Sequence, residues 1–127
     1  MKRWRCSSLA ATLALSASVA GAHGDWPAKH GGEMNVGGEI TMEMVRGPAA
    51  TIIYVEDHGE PVMVAGTRAT LELQRPGGSR STLVLRHRAD NSFQAEPVDF
   101  EQGSRILVTI EFDSGILMVG RFLRRFF

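Results

Sequence analysis

Four histidines are the residues of this chain best suited to chemistry: His23, His30, His58 and His87. The first two stand in "GAHGDWPAKHGG" (21–32) and the third in "EDHGEP" (56–61). Imidazole nitrogen in a near-planar donor set suits Cu(II). A cut after Ala22 makes His23 the first residue, so that its amine and ring nitrogen chelate one ion. His30 or His58 then supplies a third nitrogen in a T-shaped site. A cut after Ala20 gives the start Gly21-Ala22-His23, whose amine, two backbone amides and imidazole form a square-planar set for Cu(II) or Ni(II). Thioethers add softer donors for Cu(I). Met34, near His30 and Trp26, is the best placed for a surface ligand, whereas Met42 and Met44 share a face with Ile40 and read as core. Met63 follows the Glu60-Pro61 turn, near His58 in sequence. Trp26 either covers a bound Cu(I) or pins the leader to the domain. His87 alternates in register with Leu83 and Leu85, which points it at the core or a sheet edge. The candidate metal ligands are therefore His23, His30, His58 and Met34, for copper first and zinc second.

Other chemistry finds little support. The chain has no GxSxG, HExxH, CxxC or phosphate-cradling glycine loop, so no nucleophile–base pair or phosphate site is indicated. The glycine pairs at 31–32, 37–38 and 77–78 read as turns. Carboxylates fall on the polar faces of alternating runs, where solvation accounts for them. The expectation is a protein that is not an enzyme.

The elements that must position these residues begin with an export signal. Lys2, Arg3 and Arg5 precede an apolar stretch at 9–20, and Ala20-Gly21-Ala22 closes it with the small residues of a cleavage site. That stretch is well short of the roughly 20 residues that a spanning helix needs, so it is expected to be removed, delivering a periplasmic protein. The sole cysteine, Cys6, leaves with it, and no disulfide remains. Of 14 basic and 14 acidic residues, the signal removes three basic ones. The resulting acidic balance argues against a nucleic-acid surface.

From 31 onward, short alternating runs are separated by turn residues. "EITMEMV" (39–45), "ATLELQ" (69–74), "STLVLRHR" (81–88), "SRILVTIEF" (104–112) and "GILMVGRFL" (115–123) alternate with period two, and "ATIIYVE" (50–56) is apolar on both faces, as a central strand would be. "EDHGEP", "RPGGS", "RADNS" and "FDSGI" supply Gly, Asn or Asp where positive φ is required. No segment keeps helical spacing. The pattern predicts an all-β fold: a single antiparallel β-sandwich of immunoglobulin-like size with about seven strands, a small barrel being the alternative. Residues 1–22 are the signal peptide, 23–31 a mobile His-containing leader and 32–127 the domain. A leader that buries little predicts that deleting 23–30 leaves thermal stability nearly intact.

"AHGDWPAKHGGEM", followed after about 20 residues by "IIYVEDHGEPVMVAGTRATLEL", resembles a family of small exported bacterial proteins. Their leader reads A-H-x-D-H-x-P-K-H-G-G and their third strand ends in Y-V-x-D-H-G-K-P-V. Similar segments occur in periplasmic adaptor subunits of heavy-metal efflux pumps of the resistance-nodulation-division type. The resemblance spans about residues 22–73 and puts His23, His30 and His58 on the family's histidine positions; it departs at Trp26, where the pattern often has another histidine. It implies a periplasmic β-domain associated with copper, zinc or cobalt handling. The expected function is metal binding as a buffer or accessory to efflux, with an efflux adaptor or another periplasmic protein as partner. The alternative is a metal-independent interaction module of the envelope.

Overall fold

The structure, a computed structural model, describes residues 27–36, 40–98 and 101–123. The signal segment, His23, Trp26 and the terminal 124–127 lie outside the described residues. The described residues form nine strands and no helix: β1 (Glu33–Met34), β2 (Ile40–Arg46), β3 (Thr51–Asp57), β4 (Glu60–Pro61), β5 (Arg68–Gln74), β6 (Arg80–Ala89), β7 (Ser92–Ala95), β8 (Arg105–Glu111) and β9 (Leu117–Leu123). All pairings are antiparallel.

The all-β, antiparallel expectation holds, with a difference in closure. In place of two facing sheets, one continuous path runs β1-β2-β3-β7-β6-β5-β8-β9, with β4 paired to β3. The path rolls up until its ends meet: Val36 N–H donates to Arg121 O at 2.8 Å, so the segment after β1 reaches β9. The result is a nearly closed barrel. Strand β6 makes the roll possible. Its first part, to Leu85, pairs with β5, and from Arg86 it pairs with β7, with an irregular register between His87 and Ala89. Bulges bend strands in this way.

Period-two alternation sends Met42 and Met44 of β2, Ile53 and Val55 of β3, Leu71 and Leu73 of β5, and Ile106, Val108 and Ile110 of β8 into one core. Phe93 of β7 and Phe122 of β9 are the largest fully buried side chains. Burying each large apolar side chain contributes about 1.5–3 kcal/mol. Met42 and Met44 are thus core residues, as their shared face with Ile40 predicts. Strand β3 is central, flanked by β2 and β7.

One alternation misleads. His87 continues the rhythm of Leu83 and Leu85, yet it is exposed, together with Arg86 and Arg88. The rhythm fails because β6 changes partner there and its ladder slips. Strand β7 is also missed by the sequence reading, because its four residues follow directly on the "RADNS" turn. The turn at 90–91 is instead built into the core wall: Asn91 O accepts from Val55 N at 2.9 Å and Asn91 Nδ2 donates to Val55 O at 3.0 Å.

Candidate functional site

The outer face of β1–β3 carries the site. Cross-strand pairing aligns Met34, Glu43 and Tyr54 in one row and Thr41 with Glu56 in the next. Directly paired residues share a face, and this face is opposite to that of Met42, Met44, Ile53 and Val55. The described part of the leader lies across it. Glu43 receives three backbone donors: Lys29 N–H to Oε1 at 2.8 Å, His30 N–H to Oε2 at 2.8 Å and Gly32 N–H to Oε2 at 2.9 Å. The His30 ring adds Nδ1 at 3.2 Å from Oε1. Successive N–H groups converging on an anion form a nest, and here the anion is the protein's own carboxylate.

The sequence "KHGG" explains why this segment can do so. Gly31 has φ +71°, a left-handed conformation that turns the chain between His30 and Gly32. Gly32 serves a different need. A Cβ there would lie 2.5 Å from Met44 O, so only glycine lets the leader backbone approach β2 this closely. The pair reads as a turn in the sequence; its second member is a close approach.

Side chains complete the docking. The His30 ring stacks on Tyr54 with centroids 3.6 Å apart and planes within 3°. Lys29 Nζ pairs with Glu56 Oε1 at 2.9 Å and donates to Gly59 O at 3.3 Å. That second contact reaches the hairpin turn joining β3 and β4, where His58 (φ 49°) and Gly59 (φ 82°) both have the positive φ of a type I′ turn. The leader and the second His-Gly motif, 56–60, are thus linked through Lys29.

Burial pushes the Glu43 carboxyl upward, but hydrogen bonds from Gly32 N, Lys29 N, the His30 ring and His30 N overcome it and hold the group below its ordinary value of 4.5. Glu43 is only 4% exposed. A satisfied, ionised carboxylate of this kind is an anchor and not a general base. It also corrects the reading of the carboxylates as solvated, as does the largely buried Glu56.

The site residues fall out as follows. His30 and Met34 sit on one face around Glu43, Met34 half-buried and directly paired with it. His58 stands exposed in the β3–β4 turn with Nδ1 2.5 Å from Asp57 Oδ1. His23 lies outside the described residues. Met63 is exposed, at 58%. Among the described residues no three or more His, Cys, Asp or Glu side chains are grouped to hold a metal ion. What His30 and His58 share is orientation: each directs Nδ1 at a carboxylate. An ionised carboxylate only accepts, so a neutral ring that donates Nδ1–H to it keeps its lone pair on Nε2. Residues 27–31, expected to be mobile, are instead tied to the sheet at Lys29, His30 and, just beyond, Gly32.

Sequence reasoning missed Glu43, Tyr54 and Lys29. The only signal for Glu43 was its place opposite a tyrosine on a two-sided strand, and alternation alone does not tell a covered face from a wet one. No family model matches the chain, and no curated protein or solved structure matches it.

Proposed function

We propose that the protein is an exported, non-catalytic β-domain that binds a transition-metal ion at its docked leader, copper first and zinc second, and serves as a periplasmic buffer or accessory to heavy-metal efflux. The observation that carries this reading is the carboxylate behind two of the described histidines, His30 and His58. A ligating histidine commonly donates its other ring N–H to a carboxylate, which fixes the tautomer and raises the basicity of the ligating nitrogen. Glu43 stands in that position for His30, and Asp57 for His58. The Nε2 atoms of these rings would serve as donors, and His23 with the new chain amine would complete a nitrogen-rich set for Cu(II). The resemblance of the two His-Gly segments to heavy-metal efflux proteins points the same way.

Calorimetric titration of the secreted form with Cu(II) and Zn(II) tests the reading. His23→Ala/His30→Ala is expected to weaken Cu(II) at least tenfold. Glu43→Gln, which removes no ligand, is expected to weaken it by about tenfold through the His30 ring. Unchanged affinity in the double variant would reject metal capture by the leader. The alternative, a metal-independent interaction module, is favoured by the exposed Leu117, Val119 and Leu123 on the outer face of β9.

A further inference from the structure

Beyond the seam where β9 meets β1 and β2, the outer face of β8 and β9 is unlike the leader's. Ile106 and Phe122 point inward and are buried. Their neighbours Arg105, Leu107, Arg121 and Leu123 therefore point outward. Pairing sets Arg105 opposite Leu123 and Leu107 opposite Arg121. The two arginines are thus diagonal neighbours, which on a sheet puts their Cβ atoms roughly 7–8 Å apart, with a leucine beside each. Together with Gln74 they line a cleft of about 480 Å³. Arg105 also lines an adjoining cleft of about 300 Å³ with Arg75 and Arg80.

Among the described residues the charges in this cleft are not balanced. Arg68 pairs with Glu111 and Arg80 with Glu72, but among the described residues neither the Arg105 nor the Arg121 side chain has a carboxylate or hydrogen-bond partner. Glu72, the acidic residue that pairs with Leu107 in register, is already engaged by Arg80 and by Gln74 Nε2. Two adjacent guanidiniums without an anion repel each other, and their planar forks suit the oxygens of a phosphate or carboxylate. Beside the arginines the outer row of β9 is apolar. Leu123 is 43% exposed, and Leu117 and Val119 continue the outer row of β9 at 58% and 42%. A site combining cationic forks with an apolar strip selects an anion carrying an alkyl chain, and the volume falls within the roughly 300–1,000 Å³ of ligand clefts.

We propose that the Arg105–Arg121 cleft on the outer face of β8–β9 binds an anionic amphiphile, the phosphate or carboxylate between the guanidiniums and the alkyl chain along Leu107 and Leu123. Such a ligand is either a single molecule taken from solution or an anionic lipid in a membrane surface. The proposal does not rest on the metal reading, because none of the cleft's side chains contacts Lys29, His30, Glu43 or His58.

The test uses the purified protein with monomeric dodecyl phosphate, inorganic phosphate and vesicles of phosphatidylcholine with or without phosphatidylglycerol. Saturable binding of dodecyl phosphate is expected, at least tenfold tighter than inorganic phosphate. Arg105→Gln/Arg121→Gln should weaken it at least tenfold, whereas Arg68→Gln on the same face should leave it unchanged. Circular dichroism would establish that both variants fold. Co-sedimentation with the phosphatidylglycerol vesicles, lost in the double variant, would identify the membrane as the source; monomer binding without co-sedimentation would identify a free amphiphile. Absence of dodecyl phosphate binding, equal affinity for inorganic phosphate, or wild-type affinity in the double variant would overturn the proposal.

Discussion

Glu43 occupies a position that the sequence marks as polar and the fold buries. A carboxylate removed from water is costly unless it is hydrogen-bonded, and here the compensation comes from the leader's N–H groups and the His30 ring. Because its folded-state pKa is depressed, Glu43 contributes stability that is fully present above its unfolded value. That contribution is lost as pH falls below 4.5 toward the folded value. Urea unfolding is therefore expected to report constant stability from this group between about pH 5 and 7, with a loss below that range. Glu43→Gln should cost about 1–3 kcal/mol at neutral pH and reduce the acid-dependent loss. An unaltered acid profile in that variant would assign the dependence to other groups. His30 and Met34 were legible as candidates because their residue types are rare and chemically distinctive. Glu43 was not, since a carboxylate opposite the core-facing Met42 and Met44 in the alternation reads as solvated.

The strands were largely legible. β2, β3, β5, β6, β8 and β9 fall within one or two residues of the runs read from the sequence, because each sends one face into the core. The exceptions have physical causes. β7 is short and follows directly on a turn; within β6 the change of neighbour misplaces only the facing of His87. The leader is the element most misjudged. Its apolar content is low, so burial gave no sign of attachment; attachment comes from polar contacts and one ring stack. Deleting residues 23–31 removes the Lys29 and His30 contacts to Glu43, Tyr54 and Glu56, and is expected to destabilise the domain by about 1–3 kcal/mol. A melting temperature within a degree of the full secreted form would show that the docking contributes nothing to the fold. The same truncation leaves Glu43 open to water, which is why a larger loss is not expected.

At the scale of the whole molecule, closure depends on how near β9 comes to β2. Gly120 lies against the buried Met42 side chain, and a Cβ at Gly120 would sit 2.4 Å from Met42 Sδ. Gly120→Ala should therefore force Met42 to repack in a filled core and cost about 1–3 kcal/mol, read as a lowered urea midpoint at constant slope. The two outer faces that meet at this seam differ in character. One carries Glu43, Glu56, Asp57 and the docked leader; the other carries Arg105 and Arg121 with the exposed Leu117, Val119 and Leu123. The sequence as a whole is electrically neutral, and composition conceals that segregation.

Strand β6 gives its first half to β5 and its second to β7. Melting either portion of the barrel strips β6 of half of its ladder and exposes the core that both portions share. The domain should therefore lose its structure in a single cooperative event, and a fragment ending at the 90–91 turn would hold β6 with half of its ladder unmatched.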